Sequence, residues 1–505
     1  MEVATAILAW TVSSVCRDFF PAGDRWGICP RNRPDISTEL QAILSADAQI
    51  FLPGSSGFSQ ATERWSAFSA PTANIVVVPS VEHDVVETVK YANTQNISYF
   101  AVSSGHGSIT TLGKLQNGIE IWLDRLSSVE IAADGTTAKI GGGTKSKTIT
   151  DALWAQGKQT VTGACECVSL LGPGLGGGHG FLQGRHGLVS DQFVSMNIVL
   201  ANGELHTVDA ESDLWWAMQG AGHNFGIVTS VTSKIYDVKY PNWAYESFIF
   251  TGDQVEVVYE SINKYHLKNG TPPVDIMSYS IYFNYFDIDP TKSLIMLYVL
   301  QEGVTAVDSA YTKPFHGLNP VVATAGTGTY TDLTTWLDNT LTSPPCQKAG
   351  LVNMLFPVDV ELYDVSAQRK VYDLFSSVTH QTPALNRSVI FFEGYPVEGV
   401  KAVPSDQTAI ANRADNVLIS PFISYAPSPA TPELDKTAAD LGGRIRQIVH
   451  EGTGREELYA YVNYAFGDET AENWYGYEKW RQDRLKALKH KYDPLGKFSF
   501  YAPIA

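Results

Sequence analysis

Two kinds of apolar spacing divide the chain. Up to about residue 240, short apolar runs alternate with glycine-rich turns; beyond it, longer period-two runs carry many aromatic side chains. Ile75-Val76-Val77-Val78, closed by Pro79, is the pattern of a buried strand. Val85, Val86, Val89 and Ala92 recur at helical spacing and predict a helix over 81–93. Phe100-Ala101-Val102 predicts a second strand, so this stretch reads as a β-α-β unit. Alternation at Ile119, Ile121 and Leu123, and again at Val129, Ile131, Ala138 and Ile140, predicts strands with turns at Asp134-Gly135 and Gly141-Gly142-Gly143. Residues 148–156 read as a short helix and 195–208 as a hairpin turning at Asn202-Gly203. A helix is predicted over 213–218 with Asp213 in its first turn, then a strand over 227–231.

The later runs, 245–250, 277–285 and 294–300, predict an antiparallel sheet with two unlike faces. One face would meet helices over 254–265 and 367–375. The other would roof a ligand, although packing alone accounts for any single tyrosine. Residues 389–392 form another strand, and 434–450 and 475–492 are amphipathic helices. The fold class is therefore α+β. The candidate division is 1–240 (core module about 70–240), 241–455, and a C-terminal segment 456–505 that returns to the first part.

At 505 residues the chain exceeds one ordinary core. Its 53 acidic and 36 basic residues leave a net charge of −17, which argues against nucleic acid or an anionic membrane as partner. The five cysteines, Cys16, Cys29, Cys165, Cys167 and Cys346, lack metal-ligand spacing. Cys16 and Cys29 suit an N-terminal disulfide if the chain is secreted. The apolar stretch 4–15 fits a signal-peptide core better than a membrane span, yet Glu2 stands where basic residues belong. Secretion and intracellular retention are thus both open. The sequons at Asn96, Asn269 and Asn386 are about as many as chance supplies.

Glycines crowd two stretches, 163–167 (Gly-Ala-Cys-Glu-Cys) and 172–180 (Gly-Pro-Gly-Leu-Gly-Gly-Gly-His-Gly). Each glycine loses backbone entropy and packs nothing, so such runs sit where backbone presses against a ligand or at a tight crossing. Gly172, Gly174 and Gly177 satisfy GxGxxG, but Gly178 and Gly180 deny the helix that a dinucleotide site requires. Upstream, Ser103-Ser104-Gly105-His106-Gly107-Ser108 follows the second predicted strand.

Taken in order, this SSGHGS, the GxCxxV of Gly163, Cys165 and Val168, and Leu175-Gly176-Gly177-Gly178-His179-Gly180 resemble the FAD-binding module of the berberine bridge enzyme-like oxidases, within the vanillyl-alcohol oxidase superfamily. The resemblance continues through Gly187-Leu188-Val189-Ser190-Asp191, Asp213 to Ala217, Asn224-Phe225-Gly226-Ile227-Val228, Tyr461-Val462-Asn463-Tyr464 and Tyr492-Asp493-Pro494. It implies a two-part FAD domain of the PCMH type, a substrate domain of antiparallel sheet covered by helices, and a monomer acting on a small molecule and O2. It implies FAD held bicovalently, His106 on the flavin 8α-methyl and Cys165 on C6. The matched contacts are Ser103, Ser104, Gly105, Gly107, Ser108, Gly176, Gly177, Gly178, Gly187, Asp191, Gly226, Ile227, Val228 and Asn463. Val168 matches a position that gates dioxygen, or is an ordinary core valine; without the resemblance, His106 reads as a loop histidine capping its own backbone.

Such an oxidase moves a hydride from a carbon whose hydroxyl or amine loses a proton, so it needs a fixed angle and a nearby base. The cofactor carries the hard step. Cys165 must ionise to attach, and the N–H groups of a glycine loop would favour the thiolate. Its rival Cys167 is set aside by register from Gly176-Gly177-Gly178. The phosphate loop departs from the family's Arg-Ser-Gly-Gly-His-Ser, since Val102 replaces the Arg. Pro421 stands where alkaloid-oxidising members carry a Glu base. Tyr461 matches the base of sugar-oxidising members, provided its phenol, ordinarily near about 10, is lowered. Glu393 is the reserve base, or a solvated strand-end carboxylate. The resemblance implies an alcohol oxidase, of a secondary-metabolite alcohol or a sugar hemiacetal, that releases hydrogen peroxide. A redox-neutral isomerase or cyclase keeping flavin as scaffold is the alternative that the missing Glu favours. Intact His106 and Cys165 disfavour a binding protein without activity.

Overall fold

The computed structural model describes residues 35–428 and 431–504. The apolar stretch 4–15, Cys16 and Cys29 lie outside them. A four-stranded sheet comes first: β1 (Gln49–Phe51), β2 (Ala73–Val78), β3 (Tyr99–Val102) and β4 (Gly118–Trp122), in the order β1-β2-β4-β3. The two strands of the expected β-α-β unit are therefore not neighbours, because β4 lies between them and parallel to both. Burial explains the insertion. β4 has four consecutive buried residues, which only a central strand covered on both faces can hide. The connecting helix, Glu82–Gln95, buries Val85, Val86, Val89 and Ala92 against this sheet. Its start is held by Asp84, whose carboxylate accepts the Ser80 and Val81 N–H groups at 2.9 and 3.1 Å.

A second, antiparallel sheet contains β5 (Val129–Ile131), β6 (Thr137–Gly141), β7 (Phe193–Leu200), β8 (Leu205–Asp209) and β9 (Gly226–Lys234), in the order β5-β6-β9-β7-β8. Gly141 and Gly143 let the 123–126 backbone pass beside it; a Cβ on either would overlap a carbonyl oxygen, of Leu126 or Leu123.

The third sheet has eight antiparallel strands: β10 (Asn242–Thr251), β11 (Ile276–Phe283), β12 (Leu294–Glu302), β13 (Val322–Thr329), β14 (Val352–Leu355), β15 (Val358–Val360), β16 (Val389–Gly394) and β17 (Val417–Tyr425). Their order is β13-β10-β12-β11-β16-β17-β14, with β15 also on β17. Its faces differ as the alternation predicts. Phe248, Tyr282, Phe392 and Ile423 pack with helices Val255–Ser261, Val365–Gln381 and Thr431–Gly452. Met277, Tyr279, Phe391 and Glu393 point the other way.

Two helices depart from the pattern. The stretch read as one helix over 475–492 is Ala471–Tyr475 and Lys479–Tyr492, broken where Gly476 takes φ +95°. The helix expected over 213–218 shrinks to Trp215–Met218, and Asp213 instead bonds Lys491 and Tyr492 at 2.7 and 2.5 Å. The chain end then returns to the first sheet, Phe498 meeting Tyr99 edge-on at 5.7 Å. Among the described residues no helix is long and apolar enough to cross a membrane, and no group of three or more His, Cys, Asp or Glu is placed to hold a metal ion.

Candidate functional site

A cavity of about 390 Å³ lies between the glycine-rich loops and the helix-free face of the large sheet. The loop after β3 brings Ser103 to Gly107 to its wall, and the loop before Leu171 brings Gly163, Cys165 and Val168. β11, β16 and β17 contribute Tyr279, Glu393 and Phe422, and the C-terminal segment Tyr461, Asn463, Tyr464 and Tyr501.

His106 sits deep in this wall. Its Nδ1 lies 3.3 Å from Ser104 Oγ, and Trp65 stacks on the ring at 6.1 Å. Burial, reinforced by Lys348, pushes its pKa down to about 4, so the imidazole is neutral at pH 7. A strap from the large-sheet half of the chain crosses beside it: the Pro345 carbonyl accepts from the His106 ring, and Cys346 forms a disulfide with Cys167. The strap is fastened again through Glu166, whose N–H donates to the Asn339 carbonyl at 3.0 Å while its carboxylate accepts from the Leu341 N–H at 2.9 Å. With Cys167 bound, Cys165 is the free cysteine among the described residues. The expected help toward a thiolate is absent. Burial, with Glu393 and Glu166 nearby, pushes the Cys165 thiol up to about 12.

Glu393 is 5 % exposed, not the solvated strand-end carboxylate that its place beside a glycine allows. Burial pushes it up to about 7, partly offset by hydroxyls of Tyr395 and Tyr464. Tyr464 donates to Oε1 at 3.2 Å, and Oε2 has no partner. Tyr461 is half-buried. Asn463 Nδ2 donates to its oxygen at 2.7 Å and the His179 and Gly178 N–H groups favour its anion, yet desolvation outweighs all three and drives its pKa up, not down as the sequence reading requires.

Two histidines complete the wall. Gln183 Oε1 accepts from the Gly180 N–H and lies 2.9 Å from His179 Nδ1, which assigns the proton to Nδ1. His223 Nε2 lies 2.8 Å from the Gly172 carbonyl, so Nε2 donates and Nδ1, buried without a partner, is an unused acceptor. Burial pushes both histidines down to about 4, which keeps them neutral.

Comparison with known proteins places the chain in a family and its fold among solved structures. The FAD binding domain family matches residues 73–209. The FAD-linked oxidoreductase chyH of Penicillium rubens is 52% identical over 505 residues, 100% of each chain. The chain belongs to the FAD-linked oxidoreductases. Solved structures share its fold at low identity. 6-Hydroxy-D-nicotine oxidase from Arthrobacter nicotinovorans has a TM-score of 0.77 at 20% identity, over 93% of this chain and 100% of its own. The Physcomitrella patens BBE-like 1 protein has a TM-score of 0.77 at 20% identity, over 93% and 99%.

The wall of this oxidoreductase suits a flavin dinucleotide. Arg64 and Lys348 supply cations beside Gly105, where the family's loop arginine is missing: a Cβ on Gly105 would come within 3.5 Å of Arg64 Nη1 and 3.2 Å of Lys348 Nζ. His223 Nδ1 and Glu393 Oε2 are buried acceptors that call for a ligand's hydroxyl or N–H donors. Of the residues matched by motif, His106, Cys165, Ser103, Ser104, Gly105, Gly107, Val168, Gly226, Ile227, Val228 and Asn463 line the cavity; Ser108, Gly176, Gly177, Gly178, Gly187 and Asp191 do not. Asp191 is a staple instead, held by Arg413 at 2.7 and 2.9 Å and accepting the Leu188 N–H. Gly178 serves the Tyr461 oxygen, and a side chain on Gly176 would overlap Asn463. Trp65, Tyr279, Tyr395, His223 and Tyr501 escaped the motif reading. Tyr279 and Tyr395 carry a signal, each two residues along a strand direction from another wall residue, whereas Trp65 carries none.

The Cys167–Cys346 bond closes a loop with a sequence separation of 179. Replacing both cysteines by serine should lower the unfolding free energy by about 2–5 kcal/mol. Urea denaturation of the variant and the oxidised protein measures this; an unchanged midpoint and slope would show that the other strap contacts suffice.

Proposed function

We propose that this FAD-linked oxidoreductase is an oxidase of an uncharged alcohol, with FAD attached through His106 and Cys165 and with dioxygen as the electron acceptor, giving hydrogen peroxide. The observation that carries the reading is Glu393: a buried carboxyl poised near neutrality, one oxygen free, on the same wall as both attachment residues. The flavin, when bound, supplies the acceptor for the substrate's hydride. The chain supplies the rest. Glu393 Oε2 takes the hydroxyl proton while the Tyr464 hydroxyl holds Oε1. Tyr461, anchored by Asn463, which also bonds the Pro173 carbonyl at 2.9 Å, orients the substrate's oxygen. The aromatic run Trp65, Phe422 and Phe391, with centroids 5.3 and 5.7 Å apart, keeps water from that wall. Val168, on the wall three residues after Cys165, is the residue we assign to dioxygen access.

The case for a redox-neutral isomerase rested on the proline at 421. That position pairs with Ile390, on the helix-packed face of the sheet, so a side chain there would face away from the cavity, whereas Glu393 of β16 lies on the cavity face. The proline therefore does not bear on the chemistry, and we assign the base to Glu393. Mixing the holoenzyme without air with a panel of benzylic and allylic alcohols and oligosaccharides should bleach the flavin, and admitting air should restore its colour with one peroxide per turnover. Product formation without bleaching would assign the isomerase reading.

A further inference from the structure

Strand register lays one line of side chains across the cavity face of the large sheet. Glu393 pairs with Tyr279, Tyr279 with Tyr298, Tyr298 with Ser247, and Ser247 with Thr324. A parallel line, two residues along each strand, runs Phe391, Ile281, Met296, Ile249 and Val322. Exposure grows outward: Glu393 and Tyr279 are buried, Tyr298 and Ser247 half-buried, Thr324 exposed. Tyr245 shares this face, 6.3 Å from Tyr298 and 4.8 Å from Trp336, centroid to centroid. Ile249, Ile281, Met296, Phe391 and Trp336 are half-buried too, so a broad apolar and aromatic floor continues past the cavity into solvent. A contiguous patch of this kind marks a binding surface. Four strand spacings carry it about 19 Å from Glu393 to Thr324. Neither line contains Lys or Arg. Burial raises the Tyr298 phenol, with Tyr245 and then Asp338 adding to it, so a further anion is disfavoured beside it.

We propose that this floor is a substrate subsite, and that the substrate is an elongated, uncharged molecule whose reacting carbon meets Glu393 while a flat ring or conjugated arm lies on Tyr298, Tyr245 and Trp336. The occupant follows from continuity: the inner end of the floor, Tyr279, Phe391 and Glu393, is itself cavity wall. The inference rests on the oxidase reading for the chemistry at Glu393, but its binding prediction does not need turnover.

Calorimetric titration of the holoenzyme with three probes tests it: benzyl alcohol, which stops short of the floor; 4-(benzyloxy)benzyl alcohol, which reaches it; and 4-(carboxymethoxy)benzyl alcohol, which brings an anion to it. The long neutral probe should bind at least about tenfold more tightly than benzyl alcohol, as stacking plus ring burial warrants. The carboxylate probe should show no such gain. Tyr298→Ala and Tyr245→Ala should each shrink the gap to within about threefold, and Tyr298→Phe, which keeps the ring, should preserve it. Equal affinity for the long and short probes, a gap that survives both alanine variants, or tight binding of the carboxylate would overturn the subsite. So would a wild-type dimer that Tyr298→Ala converts to a monomer, since the face would then belong to a second copy. A tenfold gap with no flavin reduction by any probe supports the subsite and counts against the oxidase reading alone.

Discussion

Glu393→Gln should slow reduction of the bound flavin by substrate by about 10²–10⁴-fold, the range lost with a general base. The glutamine keeps the volume and can still accept from Tyr464, so flavin content, read from the visible spectrum, should stay normal. What disappears is an oxygen able to hold the proton. The pH dependence carries the sign. Burial places Glu393 near 7, so below that pH it is protonated and cannot accept; reduction should rise through about pH 7 and level off above it. In Glu393→Gln that rise should vanish, because the titrating group is gone. Tyr461→Phe should lose less, and its profile should keep the rise, since desolvation drives the Tyr461 phenol up and leaves it protonated across this range. Stopped-flow reduction without air separates the two residues. A large loss in Tyr461→Phe beside near-normal Glu393→Gln would falsify the assignment to Glu393 and return the proton to the phenol.

Acid-precipitated wild-type protein should stay yellow, and His106→Ala combined with Cys165→Ala should lose all its flavin to the supernatant. Each attachment would replace one flavin C–H hydrogen and one side-chain N–H or S–H hydrogen by a bond, with two electrons and two protons passing to dioxygen. The two residues meet this demand unequally. His106 is neutral at pH 7 and has a lone pair available. Cys165 must lose a proton that burial, Glu393 and Glu166 all help to retain. Peptide mass spectrometry after loading apoprotein with FAD should therefore find the His106 bond complete first, with the Cys165 bond forming more slowly and faster as pH rises. Colourless denatured protein after full loading would reject covalent attachment; a Cys165 bond that precedes the His106 bond would reject the order.

Much of the site is written in local patterns. The glycine runs around Gly105 and Gly163 form loops because no regular element tolerates so many residues without side chains, and both loops reach the cavity. The period-two runs after 240 form a sheet with unlike faces, because successive strand residues point to opposite sides. Glu393 is legible as a residue of the strand that roofs the ligand. Its behaviour is not. A carboxyl's pKa depends on how much water reaches it, and the residues around Glu393, among them Tyr279 across the strand and the hydroxyls of Tyr395 and Tyr464, are scattered over nearly 190 positions of chain.

The same physics separates the other cases. Desolvation of Tyr461 outweighs the donors that favour its anion, and burial with two carboxylates nearby acts on Cys165 with no donor to oppose it; only packing shows either outcome. Asp191 sits in a motif that reads as cofactor contact, but Arg413 reaches it from the far side of the sequence and makes it a buried ion pair. Nothing near Cys167 or Cys346 announces their bond, because proximity of two residues 179 apart is a property of the folded chain. By itself the sequence determined where strands, helices and glycine loops fall and which chemical groups they carry, since backbone sterics and apolar periodicity act over a few residues. The tertiary structure decided which strand lies beside which, which groups lose water, and which carboxyl is left with a free oxygen, because register, burial and charge act across segments that meet only in three dimensions.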